Sequence, residues 1–177
     1  MTRYIGLLRG INVGGNKKIK MADLRALMGE LGFANIKTAL ASGNVAWDSD
    51  DDDMESMREA IMAGIKATFG FDVPLIVFPR QQVEEIVASA PFDGRNVTDD
   101  TRLYVTFLPA PVTTALDIPH QSMNGDFVIL RVTDTDVCSV LTITHARSVD
   151  AMTILETEFG KTITTRNWNT VLKLVVL

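Results

Sequence analysis

The most constraining feature of this sequence is how the spacing of its apolar residues changes over residues 1–80. Short β-rich runs alternate with two stretches whose apolar residues recur at helical spacing, and Gly32 and Gly70 stand where glycine would end each helix. The β-rich runs are residues 4–8, 35–40, 44–48 and 73–78. Their order with the helices, βαββαβ, is that of the ferredoxin-like α/β plait. We therefore predict an α+β fold.

Residues 81–177 repeat this pattern less regularly. Asn124-Gly125 and Asp134-Thr135-Asp136 are turn signals that separate β-rich runs. The predicted strands are residues 103–108, 127–132 and 137–143, with an edge strand near Ile163, and the predicted helices are residues 83–90, 152–159 and a last one from Trp168. The prediction is two plaits in tandem, residues 1–80 and residues 81–177, the second with added helices.

Composition excludes several functional classes. The 177 residues carry a net charge of −5, and nucleic-acid binding needs a basic surface. Cys138 is the single cysteine, so neither an intrachain disulfide nor a thiolate metal cluster can form. No apolar run approaches the roughly 18 residues of a membrane span, and no signal peptide is evident at the N-terminus. We expect a cytoplasmic protein with neither nucleic acid nor membrane as a partner.

The acidic run from Asp48 to Asp53 resembles a calcium loop in part of its spacing. Asp48, Asp50 and Asp52 occupy positions one, three and five of such a loop, and Glu59 falls on position twelve. Position six must be glycine for the sharp turn, and here it is Asp53. The interpretation that fits better is a helix start, where carboxylates interact favourably with the helix dipole. We expect folding without metal and without a cofactor.

The remaining reactive side chains do not make a catalytic set. His120 and His145 have no cysteine or carboxylate at ligand spacing, which is a poor pattern for zinc. His145 with Ser148 lacks an identifiable orienting acid, and Cys138 lies in an apolar run typical of a buried, inert thiol. Whether the chain is an enzyme is left open by its sequence.

A glycine-rich basic segment, residues 9–18, follows the first predicted strand. Glycines at Gly10, Gly14 and Gly15 allow backbone N–H groups to converge on an anion, and nearby lysines add charge. It is not a P-loop, because Asn16 stands where the phosphate-binding lysine belongs. The alternative is a flexible connection with solvated lysines, since glycine and asparagine mark turns in any case.

A second candidate segment, residues 164–171, precedes the last predicted helix. Thr165 or Asn167 could cap that helix, leaving N–H donors exposed at its start with Arg166 beside them. The alternative is a capped helix without a ligand, with Trp168 in the core and Arg166 in a surface ion pair.

Three motifs together resemble the bacterial family known as domain of unknown function 1697. They are Leu7-Leu8-Arg9-Gly10-Ile11-Asn12-Val13-Gly14-Gly15-Asn16, Ser42-Gly43-Asn44-Val45 and Thr164-Thr165-Arg166-Asn167-Trp168-Asn169-Thr170-Val171. The resemblance implies two linked ferredoxin-like plaits and no established activity. Two departures stand out. Ala41 replaces a polar residue before Ser-Gly-Asn, and residues 144–153 lack a basic segment common in relatives.

These observations lead to a binding hypothesis. We expect a non-catalytic binder of a small anionic molecule at the junction of the two plaits, with Arg9 and Arg166 sharing the anion. The expected ligand-binding residues are Arg9, Asn12, Gly14, Gly15, Ser42, Asn44, Arg166 and Asn167. Two alternatives stay open, an enzyme acting on a phosphate ester or nucleotide and a protein–protein interaction module.

Overall fold

The computed structural model describes residues 1–144 and 150–177. These residues form an α+β structure with two antiparallel sheets, which confirms the predicted fold class. The strands are β1 (Thr2–Leu8), β2 (Ala34–Ala39), β3 (Asn44–Ser49), β4 (Leu75–Pro79), β5 (Thr101–Phe107), β6 (His120–Gln121), β7 (Phe127–Val132), β8 (Asp136–Thr142) and β9 (Thr164–Asn167). The helices are α1 (Met21–Glu30), α2 (Met54–Phe69), α3 (Arg80–Ala88), α4 (Ala151–Phe159) and α5 (Trp168–Val175).

The described chain divides into two compact units. The first comprises Met1–Glu85 and Lys173–Leu177, and the second comprises Ile86–Leu172. The sequence predicts two domains, residues 1–80 and residues 81–177. These limits stay a prediction.

The first unit is a ferredoxin-like plait. Its sheet has the order β2-β3-β1-β4 with antiparallel neighbours, and α1 and α2 connect the strands at the two places that βαββαβ requires. Tyr4, Leu8 and Trp47 on the central strands pack with Leu24 of α1 and Ile61 of α2 in one buried cluster. The change between periods of two and 3.6 residues in the sequence is the direct cause of this layered core.

Helix α2 begins at the acidic run, as predicted. The Asp53 side chain accepts a hydrogen bond of 3.0 Å from the backbone N–H of Ser56, and Gly70 ends the helix in a left-handed conformation with φ 82°. Asp48 lies in β3 and accepts a hydrogen bond from Arg3. The run therefore ends a strand and caps a helix.

The second unit has a sheet of five strands in the order β6-β7-β8-β5-β9. Apart from the short β6, this is the order of the first sheet, with β5, β7, β8 and β9 in the places of β1, β2, β3 and β4. Residues 108–126, all of them described, form no helix between β5 and β7. Val112 and Leu116 of this segment pack against the cluster that also holds Leu155 and Phe159 of α4.

The C-terminal motif contains an edge strand followed directly by a helix. Residues 164–167 form the edge strand β9, which pairs with β5 through Phe107 opposite Thr164, and α5 begins at Trp168, the residue predicted. The edge strand expected near Ile163 starts one residue later. In the described residues no helix has the length and apolar content to cross a membrane.

Candidate functional site

The glycine-rich segment forms a small hairpin in the first unit. The N–H of Asn12 donates to the carbonyl of Lys17 (3.2 Å), and the N–H of Asn16 donates to the carbonyl of Val13 (3.1 Å). Gly14 and Gly15 at the tip have φ values of 59° and 80°, a pair of left-handed residues that suits glycine in a tight hairpin turn. Both glycines are exposed. The segment is thus an ordered turn.

Asn12 holds this hairpin in place. Its Nδ2 donates to the carbonyls of Ile19 (2.9 Å) and Ala41 (2.7 Å), and its Oδ1 accepts from the N–H of Ile19 (2.9 Å). These contacts use both amide donors of the side chain. Asn12 therefore supports the loop, and its proposed contact with a ligand would have to use the remaining lone pair of Oδ1.

The Ser42-Gly43-Asn44 turn lies beside this hairpin, so the structure brings the first two motifs together. Asn44 is fully buried, and its Nδ2 donates to the carbonyl of Ala39 (2.8 Å) and to the hydroxyl of Ser42 (3.1 Å). The carbonyl of Gly43 accepts from the N–H of Leu8 (2.8 Å). Because Asn12 binds the carbonyl of residue 41, the alanine found there satisfies the contact as well as a polar residue would.

The charged side chains at this end of the first unit are cationic, and at least one of them already has a hydrogen-bond partner. Arg9 is half-buried, and its backbone N–H donates to the carbonyl of Pro74 (2.9 Å). Lys17 Nζ donates to the carbonyl of Asp72 (2.7 Å), while Lys18 is exposed. Asn12 and Asn44 beside these groups make contacts that hold the two turns in place.

A cavity of about 360 Å³ lies in the second unit at the start of α5. Asn167, Trp168 and Asn169 of the C-terminal motif line it together with Thr101 and Arg102 of β5. The Asn167 Oδ1 accepts hydrogen bonds from the N–H of Thr170 (2.8 Å) and from its hydroxyl (2.9 Å). Asn167 is therefore the helix cap, one of the two candidates from the sequence. Thr165 instead shares a 2.8 Å hydrogen bond with Thr106 of β5.

Capping leaves donors available at this end of the helix. The first N–H groups of an α-helix have no partner within the helix, and Trp168 and Asn169 supply two of them here. Arg102 adds a guanidinium whose Nη1 donates to the carbonyls of Asp99 (2.7 Å) and Thr101 (3.0 Å). The cavity thus combines a fixed cation with helix-start donors.

Arg102 was missed by sequence reasoning because its role depends on strand pairing. Tyr104 of β5 lies opposite Asn167 of β9, which places Arg102 two residues beyond the last paired position, next to the start of α5. The signal was a charged residue at the polar beginning of a predicted strand, but nothing in the sequence indicates which strand is its neighbour.

Arg166 does not line the cavity. It precedes Asn167 in β9, and successive residues of a strand point to opposite faces of the sheet. Its Nη1 donates to the carbonyl of Thr165 (3.1 Å), and burial lowers the pKa of its guanidinium to about 10. Arg9 and Arg166 belong to different units, and their sharing of one anion stays a prediction.

The other chemically reactive residues have structural surroundings. Burial raises the pKa of the Cys138 thiol to about 12, so the thiol is protonated at neutral pH, as expected for an inert buried cysteine. In residues 1–144 and 150–177 no group of three or more His, Cys, Asp or Glu side chains could hold a metal ion. His145 and Ser148 lie outside the described residues.

The whole architecture is similar to that of a solved structure, a conserved bacterial protein from Streptococcus pneumoniae. The TM-score is 0.73 at 23% sequence identity, and the match covers 99% of this chain and 97% of the other. At this identity the likeness shows a shared fold. No curated protein matches the sequence. The sequence model of a family of proteins of unknown function, DUF1697, matches residues 1–124, and the chain with its paired plait-like sheets belongs to that family.

Proposed function

We propose that this protein binds a small anionic molecule in the second-unit cavity at the start of α5. The observation that supports it most is the placement of the Arg102 guanidinium beside Asn167, Trp168 and Asn169 around one space of about 360 Å³. Cavities of roughly 300–1,000 Å³ are typical of small-molecule sites. The candidate segment at residues 164–171 and the cavity coincide at three consecutive residues, Asn167, Trp168 and Asn169.

The electrostatics of this cavity favour an anion. Hydrogen bonds from arginine to a carboxylate or phosphate are about twice as strong as those between neutral groups. The helix start adds roughly 0.3–1 kcal/mol for a negative charge near the surface. The two carbonyls that accept from Arg102 Nη1 restrain its guanidinium, so less side-chain freedom is lost on binding.

Binding without catalysis is the better-supported form of this proposal. The residues that line the cavity include no histidine, cysteine, aspartate or glutamate, so proton transfer there has no evident donor or base. An enzyme acting on a phosphate ester would need those groups from elsewhere. A protein–protein module has no specific observation in its favour.

The test is a titration of purified protein with inorganic phosphate, sulfate and a nucleoside monophosphate, followed by calorimetry and by backbone amide NMR. Arg102→Gln removes the cation. Asn167→Asp keeps a good cap but adds a negative charge at the site. Lys18→Gln, which removes an exposed cation in the first unit, is the matched control.

We expect at least one of these anions to bind and to shift the amide signals of residues 101–103 and 167–169. Arg102→Gln and Asn167→Asp should each weaken binding about tenfold or more, since one charge-assisted hydrogen bond is worth about 1.5–3 kcal/mol. The control should bind like the parent. Equal losses in Lys18→Gln and Arg102→Gln would refute the proposal, as would the absence of any binding at millimolar concentrations.

A further inference from the structure

The cavity at the start of α5 has an aromatic wall that an inorganic anion would leave uncovered. Trp168 is half-buried and lines the cavity, and its ring centroid lies 5.0 Å from that of Phe92 in an edge-to-face contact. Phe92 is 8% exposed, so a buried partner holds the indole in place. Val97, which lines the same cavity, is 55% exposed. The cavity therefore combines an ordered aromatic ring with apolar surface that water can reach.

The size of the cavity also exceeds what an inorganic anion fills. Its volume of about 360 Å³ corresponds to roughly twelve water molecules at about 30 Å³ each. Phosphate or sulfate is only a few times larger than a water molecule, so either ion would leave most of the space to solvent. The ligand that fills this cavity is an anion with a larger group attached.

Arg102 can hold the anionic end of such a ligand. Its Nη1 donates to the carbonyls of Asp99 (2.7 Å) and Thr101 (3.0 Å), which uses both N–H groups of that nitrogen. A guanidinium has five N–H donors, and the remaining ones, on Nε and Nη2, have no partner among the described residues. Two neighbouring donors of this kind bind two oxygens of one phosphate.

Two asparagine amides line the same cavity. Both side chains are exposed, and neither Nδ2 of Asn167 nor the amide of Asn169 has a hydrogen-bond partner within residues 1–144 and 150–177. A hydrocarbon chain against Trp168 would remove water from these amides without replacing its hydrogen bonds, which is unfavourable. A planar ring with nitrogen and oxygen atoms at its edge can cover the indole and satisfy the amides together.

We propose that the ligand of this cavity is a nucleoside monophosphate, with its phosphate on Arg102 and its base against Trp168. The edge of the base forms hydrogen bonds with the amides of Asn167 and Asn169, the type of pairing that asparagine makes with adenine in nucleic acids. Every base has a π face, so stacking on the indole suits this ligand class as a whole. The inference rests on the proposed anion site and narrows its ligand to one class.

The experiment compares four ligands that contain different parts of one molecule: adenosine monophosphate, ribose phosphate, adenosine and inorganic phosphate. Each is titrated into the full chain and followed by calorimetry and NMR. Adenosine monophosphate should bind about tenfold or more tightly than ribose phosphate, because a base stacks on the aromatic ring. It should also bind more tightly than adenosine, which lacks the phosphate for Arg102. The indole N–H signal of Trp168 should shift with adenosine monophosphate and not with ribose phosphate.

Variants at Trp168 separate stacking from folding. Trp168→Leu should lower the affinity for adenosine monophosphate to that for ribose phosphate and leave the affinity for ribose phosphate as in the parent. Trp168→Phe retains an aromatic ring and should retain most of the preference for the nucleotide. A variant that has lost its fold would instead lose both ligands equally.

A variant at Asn169 tests the contact with the edge of the base. Asn169→Ala should weaken binding of adenosine monophosphate about threefold to tenfold, since it removes a hydrogen bond between neutral groups. Asn16→Ala, at an exposed position of the first unit outside this lining, is the matched control and should bind like the parent.

The inference and the proposed function can fail separately. Inorganic phosphate or ribose phosphate that binds as tightly as adenosine monophosphate, with shifts at residues 101–103 and 167–169, refutes the nucleotide and leaves the anion site. Equal losses for ribose phosphate and the nucleotide in Trp168→Leu also refute the stacked base. Adenosine that binds as tightly as its monophosphate refutes the contact with Arg102. The absence of binding by all four ligands refutes both proposals.

A last arm distinguishes a free nucleotide from one within a nucleic acid. The chain carries a net charge of −5, which disfavours a ligand with many phosphates. We therefore expect a short single-stranded oligoadenylate to bind more weakly than adenosine monophosphate. Tighter binding of the oligoadenylate would overturn the choice of a free nucleotide and assign the site to single-stranded nucleic acid.

Discussion

The two sheets share a strand order, but different elements cover one face of each. In the first unit α1 and α2 cover one face of β2-β3-β1-β4, whereas in the second unit α4 and the irregular segment 108–126 cover β7-β8-β5-β9. Leu24 of α1 is fully buried, while Leu116 of the irregular segment is half-buried. The same strand order therefore forms with an irregular segment in place of one covering helix, since the backbone ladders are the same in both sheets.

The connections differ as well as the helices. In the first unit two turns pack closely together. The Asn12 side chain donates to the carbonyl of Ala41, and Gly43 lies against Leu8 and Ile11. The second unit relies on local side-chain hydrogen bonds, such as those of Ser122 and Asn124 to Asp126. We therefore expect single substitutions to destabilise the first arrangement more than the second.

The largest effect should come from Gly43→Ala. An added Cβ would lie 2.7 Å from Leu8 Cβ and 2.8 Å from Ile11 Cδ1, and the φ of 83° is unfavourable for alanine. We expect a loss of about 4 kcal/mol in the free energy of unfolding, the sum of the strain from the left-handed backbone and from overpacking. Urea denaturation measures it.

Gly125→Ala is the matched change in the second unit. Its φ is 78°, but the nearest atom to an added Cβ is Gln121 Nε2 at 3.0 Å, the end of a flexible side chain. The expected loss is about 1 kcal/mol. Equal losses at the two glycines would show that backbone conformation alone, and not close packing, distinguishes the two turns.

An intermediate loss of stability is expected from truncating one leucine in the layer that covers each sheet, Leu24 in the first unit and Leu116 in the second. Leu24→Ala should cost about 3 kcal/mol, and Leu116→Ala about 1 kcal/mol, because the transfer and cavity terms both scale with burial. Thermal and urea denaturation of the two variants check the difference. A larger loss for Leu116→Ala would mean that the irregular segment carries more of the stability of its unit than a helix does.

The smallest effect concerns the dependence of stability on pH in acid. Hydrogen bonds from Arg3 and Asn35 lower the pKa of Asp48 below its ordinary value of 3.8, and hydrogen bonds from Thr153 do the same for Asp150 in the second unit. A lowered folded pKa stabilises the protein above the unfolded pKa, and that stabilisation is lost as the pH falls through the folded pKa.

Asp48→Asn should therefore flatten the dependence of stability on pH below about 4 more than Asp150→Asn does, since a charged partner holds Asp48 and a neutral one holds Asp150. The measurement is the urea midpoint between pH 7 and pH 2.5. Identical profiles for the two variants would contradict this ranking.

Local signals accounted for most of the secondary structure. Gly70 ends α2, Asp53 caps it, and Asn124-Gly125 precedes β7, each where turn or capping chemistry predicts. The exception is the cap of α5, for which the sequence offers both Thr165 and Asn167. Thr165 pairs with β5 as part of β9, and pairing between distant strands leaves no local trace.

The candidate site was predictable to a lesser degree. The motif residues Asn167, Trp168 and Asn169 do line a cavity. By contrast, the amide donors of Asn12 bind two backbone carbonyls, and those of Asn44 bind one carbonyl and the hydroxyl of Ser42. Polar residues at the ends of strands and helices can serve turn geometry as well as binding, and their hydrogen-bond partners distinguish the two roles.

The sequence by itself determined the α+β class, the βαββαβ order of the first unit and the cap of α2, because periodicity and capping depend on residues within a few positions of one another. Tertiary structure decided which residues meet. Arg102 lines one cavity with Asn167, and Arg3 donates to Asp48 and Leu177, through strand pairing and chain return over as many as 174 residues. Such contacts depend on the packing of the whole chain, which no local pattern encodes.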